Sequence, residues 1–317
     1  MDKNDKIYIA GHKGMVGSSI TNKLKKKGYS NLLLKSHQDL DLLNQQDVKS
    51  FYDKYKPEYV FICAAKVGGI HANNTYRAQF IYENLQIQNN LIHFAYESGV
   101  KKLLFMGSSC IYPPGCPQPM KEEYLLTGPL EKTNEPYAVA KIAGIKMCES
   151  YFLQFGTQFF SIMPTNSYGP NDNYDLETSH VFPALIRKFH EAKIKGLDQV
   201  VIWGTGAALR EFIYVEDIAN AAIFIMDLDF DKLYGMGINH LNVGTGIETS
   251  IKDLAELIAK KLGCTARIEY DLSKPDGTLR KIMDSSRIHN LGWEAKISLE
   301  KGIELAYDSF KSEYESK

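Results

Sequence analysis

Three glycines that follow a short apolar strand constrain the fold of this chain more than any other feature. Gly11, Gly14 and Gly17 have the spacing Gly-x-x-Gly-x-x-Gly, directly after a strand predicted at 6–10. A helix predicted at 15–27 begins inside the glycine segment. A strand, a glycine turn and a helix N-terminus together form a cradle for a pyrophosphate. The segment therefore predicts a dinucleotide-binding α/β fold.

Strands and helices alternate through the rest of the first half. Further strands are predicted at 31–35, 58–63, 101–107 and 157–163, and further helices at 46–54, 76–98 and 136–155. Continuously apolar strands, such as Tyr59–Cys63, are typical of a parallel sheet that is buried on both faces. The alternation predicts a Rossmann-type doubly wound parallel sheet. The loops that follow its strands, 64–69 and 108–110, should meet the glycine segment in one cleft.

The second half is less regular, and it predicts a smaller α/β substrate lobe. Residues 164–181 are rich in turn residues. Helices are predicted at 181–193, 215–229, 250–262 and 303–314, and strands at 200–203 and 240–243. We expect a dinucleotide-binding domain at 1–170, with a returning segment near 211–243, and a mainly substrate-binding lobe at 171–317.

Composition excludes several classes of function. The 37 basic and 38 acidic residues leave a net charge of −1, which predicts no attraction to nucleic acid or to an anionic membrane. The five cysteines contain no Cys-x-x-Cys pair, which argues against a disulfide scaffold or a zinc site and suits a reducing cytoplasm. The polar N-terminus predicts no signal peptide, and no apolar run has transmembrane length.

Tyr137 and Lys141 are candidate catalytic residues. They lie four positions apart on the predicted helix 136–155, so they share one face. An ammonium beside a phenol favours the phenolate, and we expect it to lower the pKa of Tyr137. Such a phenol can exchange a proton with a carbonyl oxygen while hydride moves at the carbon.

The end of the second strand bears on the choice of cofactor. Leu34–His37 contains no acid that would take the ribose hydroxyls of NAD. Lys13 and Lys35 either form a cationic pair that favours the 2′-phosphate of NADPH, or they are ordinary solvated charges. Asp41 either lies where an adenine is read or caps the next turn.

Motifs along nearly the whole chain resemble those of the extended short-chain dehydrogenase/reductases, and more narrowly the GDP-L-fucose synthase family. Two of the more specific segments are Lys66-Val67-Gly68-Gly69-Ile70 and Gly107-Ser108-Ser109-Cys110-Ile111-Tyr112-Pro113. All matching segments are 9–17, 64–70, 72–76, 107–113, 133–138, 141–146, 163–166, 168–170 and 273–278. The resemblance implies NADPH-dependent epimerisation at C3 and C5 of GDP-4-keto-6-deoxy-D-mannose, followed by reduction at C4.

The resemblance also implies roles for individual residues. Ser108, Tyr137 and Lys141 would reduce C4, while Cys110, as a thiolate, and a protonated His180 would epimerise C3 and C5. NADP(H) would be held by Gly11, Lys13, Gly14, Met15, Val16, Gly17, His37, Asp41, Leu42, Ala64, Ala65, Asn84, Tyr137, Lys141, Pro164, Asn166 and His180. The GDP-sugar would meet Lys188, Trp203, Arg210 and Asp276, with Trp203 either stacking on the substrate or filling the core.

This chain departs from the family pattern at three positions. Lys13, His37 and Lys188 stand where the best-known members carry arginine. Lysine does not replace the bidentate hydrogen bonding of arginine, so these positions bear on NADPH strength, on NADPH against NADH preference and on substrate detail. The family pattern further implies a homodimer joined through helices 76–98 and 136–155.

Three readings of the function follow. The first is the complete epimerase and reductase. The second is a C4-reductase alone, or an enzyme for a related GDP-4-keto sugar such as a heptose. The third is a non-catalytic NADP-binding regulator, against which the Ser108, Tyr137 and Lys141 set argues.

Overall fold

A computed structural model describes residues 1–274 and 276–315, so Pro275 of the matching segment 273–278 lies outside the described residues. The strands are β1 (Ile7–Ala10), β2 (Leu32–Leu33), β3 (Tyr59–Ile62), β4 (Lys102–Met106), β5 (Phe159–Pro164), β6 (Asn166–Tyr168), β7 (Gln199–Trp203), β8 (Leu209–Tyr214), β9 (His240–Val243), β10 (Glu248–Ser250), β11 (Arg267–Asp271) and β12 (Arg280–Lys281). The helices are α1 (Met15–Lys26), α2 (Gln45–Tyr55), α3 (Ile70–Thr75), α4 (Arg77–Glu97), α5 (Glu135–Phe155), α6 (Val181–Lys195), α7 (Val215–Asp227), α8 (Phe230–Gly235), α9 (Ile251–Leu262), α10 (Ser286–Asn290) and α11 (Leu299–Glu315).

Six parallel strands form the main sheet, in the order β2-β1-β3-β4-β5-β9. Helices α1 and α7 pack together on one face, while α2, α4 and α5 cover the other. The strands are therefore buried on both sides, which explains their unbroken apolar sequences. The predicted Rossmann-type doubly wound sheet is confirmed.

A smaller α/β region covers the carboxyl ends of these strands. Its strands β10, β8 and β12 form one sheet, β6 pairs with β8, and β11 pairs with β7. Helices α6, α9 and α11 pack around its separate core. The chain returns to the main sheet at β9, whereas β8 belongs to the smaller region. The exact domain boundaries stay a prediction.

The sequence placed most elements of the first half of the chain well and missed several in the second half. The predicted helix 76–98 corresponds to α4, with the separate short helix α3 ahead of it. The strands β6, β8, β10, β11 and β12 and the helices α8 and α10 were not predicted. Strands β10 and β12 have no apolar run, so their own sequences do not indicate a strand. Their pairing with β8 places them in the sheet. Across 1–274 and 276–315, no helix has both the length and the apolar character that a membrane span requires.

Candidate active site

The glycine turn connects β1 to α1 as a close-packed backbone cradle. Gly11 has a φ of +83°, and a Cβ at Gly17 would lie 2.2 Å from the Gly11 carbonyl oxygen, so neither position accepts a side chain. Gly14 is the N-cap of α1 and supplies no side-chain hydrogen bond to the first turn. The amides at the start of α1, around Met15 and Val16, are thus not capped by a side chain. They fit an anion such as a dinucleotide pyrophosphate.

The loop after β2 carries the residues that bear on the choice of cofactor. Lys13 is exposed, and the Lys35 ammonium lies 4.7 Å from the centre of the Tyr55 ring. His37 is exposed, and its Nδ1 lies 3.8 Å from a carboxylate oxygen of Asp41.

The Asp41 carboxylate accepts a hydrogen bond from the Leu43 amide at 3.0 Å. This bond is the one that the capping alternative for Asp41 requires, and the adenine alternative stays a prediction. Leu42 lies partly buried against the core on the α2 side of the sheet. An acid missed by the sequence reading, Asp39, accepts hydrogen bonds from the amide and hydroxyl of Ser36.

The loop after β3 runs beside the glycine turn and is supported by Asn84. A Cβ on Gly11 would lie 2.7 Å from the Ala64 amide, which places Ala64 and Ala65 next to the cradle. The Asn84 side chain accepts from the Lys66 amide and donates to the carbonyls of Lys66 and Phe80. Both amide hydrogens of Asn84 are used within the protein. Asn84 therefore supports the loop after β3, and its cofactor contact stays a prediction.

Ser108, Tyr137 and Lys141 meet where β4 ends against α5. Ser108 follows β4, and its hydroxyl lies near enough to the Tyr137 phenol to affect its pKa. The Lys141 ammonium donates to the Met106 carbonyl at 2.8 Å and lies 5.7 Å from the centre of the Tyr137 ring. The structure thus brings these three predicted residues together.

The pKa of Tyr137 is shifted in the direction opposite to the prediction. Burial and the nearby Cys110 raise the pKa of Tyr137, and the Ser108 hydrogen bond lowers it by less. Burial lowers the pKa of Lys141 to about 8, against the smaller effects of Cys110 and Cys63. The predicted depression of the Tyr137 pKa is wrong in this structure because desolvation outweighs the attraction of an ammonium that faces a carbonyl.

Cys110 lies in a 3₁₀ turn just beyond β4, and it is 8% exposed. The Cys110 amide donates a hydrogen bond to the Ser108 hydroxyl at 3.4 Å, and the same hydroxyl lies near the Tyr137 phenol. The thiol faces a cavity of about 50 Å³, which is also lined by Glu131 and Lys281. Burial raises the pKa of the Cys110 thiol, opposed chiefly by the positive charge of Lys281.

His180 is the N-cap residue of α6 and is open to solvent. Although the residue is exposed overall, the protein atoms around its ring desolvate it and lower its pKa, and the Lys281 charge lowers the pKa further. The resting pair is therefore a neutral thiol and a neutral imidazole. One proton transfer from Cys110 to His180 would generate the thiolate and imidazolium forms, whose roles in epimerisation stay a prediction.

Lys281, on β12, is a functional candidate that the sequence reading missed. Its charge acts on both Cys110 and His180, and burial lowers its own pKa. Among residues 1–274 and 276–315, no hydrogen bond or ion pair of its ammonium is found. The one available signal was the basic pair Arg280-Lys281 shortly after the matching segment 273–278.

Candidate substrate residues gather in the smaller region. Trp203 is 58% exposed, and the ammonium groups of Lys188 and Lys274 lie 5.8 Å and 5.5 Å from its ring. This exposure excludes the core-filling alternative for Trp203, because an indole that fills the core would be buried, and stacking on the substrate stays a prediction. Lys274 was not singled out from the sequence.

The other substrate candidates support the same surface. Lys188 donates to the Val201 carbonyl at 2.9 Å, and Arg210 donates to the Leu209 carbonyl at 2.8 Å. Asp276 accepts from the amide and hydroxyl of Thr205, which fixes the loop after β7. These contacts make Asp276 a loop support beside the cationic surface.

Pro164 and Asn166 lie at the junction of the two regions. Pro164 ends β5, and Asn166 begins β6 with its side-chain amide donating to the Glu211 carbonyl at 2.8 Å. Asn166 therefore joins two neighbouring strands of the smaller region, β6 and β8, just after the end of β5.

A pyrophosphate cradle and an adjacent Ser-Tyr-Lys cluster define a nucleotide-dependent enzyme on a Rossmann fold. The sequence pattern of the NAD dependent epimerase/dehydratase family matches residues 7–244, and the chain belongs to this family. It is 56% identical over 307 residues to GDP-L-fucose synthase 1 of Arabidopsis thaliana, covering 97% of this chain and 93% of that protein. It is 50% identical to GDP-L-fucose synthase of Escherichia coli K12, covering 96% of each.

A solved structure adds a related activity. A GDP-mannoheptose C4 reductase from Campylobacter jejuni, solved with NADP bound, has a TM-score of 0.91 and 44% identity to this chain. The alignment covers 98% of this chain and 99% of that one.

Proposed function

We propose that this protein uses NADPH to convert GDP-4-keto-6-deoxy-D-mannose to GDP-L-fucose, by epimerising C3 and C5 and then reducing C4. The observation that carries the proposal is the place of Ser108, whose hydroxyl lies near the Tyr137 phenol and accepts a hydrogen bond from the Cys110 amide. A substrate whose C4 oxygen is bound at Ser108 would then lie beside Tyr137, the proton donor for the reduction, and beside Cys110, an acid or base for the epimerisation. The identity of 50–56% to GDP-L-fucose synthases supports the same reaction.

The epimerisation follows from the acidity of carbons next to a ketone. Removal of the C3 or C5 proton leaves an enolate, whose charge lies on the C4 oxygen, where Ser108 and Tyr137 donate hydrogen bonds. Inversion requires a base on one face of the carbon and an acid on the other. Cys110 and His180 supply these two groups from different elements. Each inversion moves one proton onto the base and one from the acid, and exchange with solvent resets the pair.

The reduction requires a proton for the C4 oxygen. NADPH held at the cradle from Gly11 to Gly17 would supply a hydride to C4. The raised pKa keeps Tyr137 a neutral phenol at neutral pH, which is the form that a proton donor needs. Ser108 orients the oxygen, and Lys141 places a positive charge next to the phenol as it loses its proton.

The remaining residues bind and orient. The cradle from Gly11 to Gly17 fits the cofactor pyrophosphate, and Lys13 is exposed beside it. Lys188, Lys274 and Arg210 suit the pyrophosphate of a GDP-sugar, with Trp203 available for stacking. Direct contacts of these side chains with the ligands belong to the proposal.

Incubation with GDP-4-keto-6-deoxy-D-mannose and NADPH in deuterated water, followed by NMR of the product, tests the proposal. We expect GDP-L-fucose with deuterium at C3 and C5. Reduction at C4 without deuterium at those carbons would instead identify a reductase alone.

The second candidate is C4 reduction of a GDP-4-keto-heptose. The similarity to the GDP-mannoheptose C4 reductase favours it. Competition between the two ketones for limiting enzyme separates the candidates. The proposal predicts a higher kcat/KM for the 6-deoxyhexose, and a preference for the heptose would replace it.

We also propose a cytoplasmic homodimer, joined through α4 and α5. These helices expose large apolar side chains, namely Tyr82, Val139, Leu153 and Phe155. Contiguous exposed apolar surface marks protein interfaces. Light scattering coupled to size exclusion should give twice the mass of one chain, and Leu153→Glu should shift it toward the monomer. The free cysteines suit a reducing compartment.

A further inference from the structure

We infer that Gly69 is a positioning residue for His180, acting through a backbone latch to the segment that precedes α6. The inference rests on the proposed function for the role of His180 in epimerisation. The latch itself is a backbone hydrogen bond that joins the loop after β3 to the segment before α6.

The two segments that this hydrogen bond joins lie so close together that Gly69 has no room for a side chain. The Gly69 amide donates to the Thr178 carbonyl at 2.8 Å. A Cβ on Gly69 would lie 2.7 Å from the Ser179 carbonyl oxygen and 3.1 Å from that of Thr178. Gly69 has a φ of −66°, which any residue adopts. Contact with this one segment, rather than backbone conformation, is therefore what excludes a side chain.

The segment on the other side of the latch is held as one piece. An Asp175 carboxylate oxygen accepts hydrogen bonds from the amides of Glu177 and Thr178 and from the Thr178 hydroxyl. The Ser179 amide donates to the Asp175 carbonyl at 2.9 Å. A displacement at Ser179 is therefore not absorbed locally, and it is passed to the next residue, His180.

The direction of the His180 side chain depends on that carbonyl. The Ser179 carbonyl and the His180 amide belong to one planar peptide, so pushing the oxygen turns the plane and changes φ of His180. Helix α6 holds the other side of His180, because the Ala184 amide donates to the His180 carbonyl. A rotation between a fixed helix and a displaced peptide moves the imidazole relative to Lys281.

Gly69 is itself anchored. The buried Asn73 side chain donates to the carbonyls of Gly68 and Gly69 at 2.6 Å and 3.1 Å. Asn73 belongs to α3, which leads directly into α4. The latch therefore fixes the position of His180 relative to the helices that cover the main sheet.

Gly69→Ala tests the inference, with Gly235→Ala as the matched control. Gly235 has an ordinary φ, and a Cβ there meets no atom within 4 Å. The first readout is the NMR titration of His180, assigned with His180→Gln. The second is loss of the C3 and C5 protons in deuterated water without NADPH. The third is NADPH oxidation with ketone already epimerised by the unmodified enzyme.

We expect Gly69→Ala to shift the His180 titration toward an ordinary histidine pKa. We also expect it to slow exchange by about 10- to 100-fold, as misplacement of a catalytic group by about 1 Å does, with reduction changed by less than about twofold. Gly235→Ala should match the unmodified enzyme in all three readouts. If Gly69→Ala does not fold, Asn73→Ala, which removes the anchor without adding bulk, should show the same pattern.

An unchanged His180 titration in Gly69→Ala would overturn the latch, and so would a parallel loss of exchange and reduction. Absence of exchange in the unmodified enzyme would contradict the proposed function instead. In that case the His180 titration still decides whether Gly69 positions the ring.

Discussion

The groups that reduce C4 and the groups that epimerise its neighbours are built in different ways. Ser108, Tyr137 and Lys141 all come from the end of β4 and from α5, and their contacts lie within this one supersecondary unit. Cys110 comes from the same unit, but His180 comes from the entrance of α6 and Lys281 from β12. The reductive cluster is thus local, whereas the epimerising pair is assembled across the cleft.

This difference means that the two activities should fail separately. Contacts within one strand and helix survive small shifts between the two regions, because both elements move together. A pair divided between regions loses its alignment when either region moves, and the rate is sensitive to about 1 Å. Epimerisation should be the more fragile activity, and variants can test each half of the comparison.

Tyr137→Phe should have the largest effect, on the local cluster. Removing the proton donor should slow C4 reduction by about 10²- to 10⁴-fold. Exchange at C3 and C5 should fall less, because Ser108 still donates to the enolate oxygen. Single-turnover oxidation of NADPH measures the reduction, and calorimetric titration with NADP should give unchanged affinity. Full reduction in Tyr137→Phe would remove the assigned role, and a protein that binds NADP without any turnover even when unmodified would be a regulator.

Cys110→Ser and His180→Gln should impair epimerisation and leave the local reductive cluster intact. Each removes one acid or base, so exchange at C3 and C5 should fall by about 100-fold or more. Reduction of ketone that has already been epimerised should continue, which serves as the internal control. Equal losses of exchange and reduction in both variants would show that the two clusters do not act separately.

Lys281→Met should weaken the pair without removing either member, by about tenfold in exchange. The charge of Lys281 lowers the pKa of both Cys110 and His180, so its loss should raise both values. Alkylation of Cys110 by iodoacetamide at fixed pH should then become slower, because less thiolate is present. Lys260→Met changes the charge of the protein equally at an exposed position on α9 and should leave alkylation unchanged.

The smallest effect is a pH dependence of the local cluster. Burial lowers the pKa of Lys141 to about 8, so its charge is present below this pH and is lost above it. Reduction should fall about three- to fourfold between pH 7 and pH 8.5, as a single group of that pKa titrates. In Lys141→Met this decline should disappear from the residual activity. A flat profile for the unmodified enzyme would show that the Lys141 charge is not required.

The same shift affects stability in a defined direction. The unfolded chain keeps an ordinary lysine pKa near 10.5, so between about pH 8 and that value it binds more protons than the folded protein. The contribution of Lys141 to the free energy of unfolding therefore increases with pH across this window.

What could be predicted from the sequence follows the same division. The glycine turn, the buried strands and the Tyr137 and Lys141 spacing depend on local patterns, and the structure places them within a few residues of the prediction. Strands β10 and β12 depend on partners distant in sequence, so they and Lys281 were missed.

Protonation could not be predicted for the same physical reason. Spacing shows which charges are near one another, but the pKa of Tyr137 depends on how completely the fold excludes water from the phenol. The role of Asn84 also required coordinates, because its hydrogen bonds to the loop at Lys66 cross the turn between β3 and α4.

A proton NMR time course of GDP-4-keto-6-deoxy-D-mannose in deuterated water, without NADPH, tests most directly whether the assembled pair works separately from the local cluster. The account predicts that the unmodified enzyme removes the C3 and C5 proton signals before any hydride is available. It also predicts that Cys110→Ser leaves these signals in place. Signals that persist with the unmodified enzyme until NADPH is added, or that vanish equally fast with Cys110→Ser, would contradict the account.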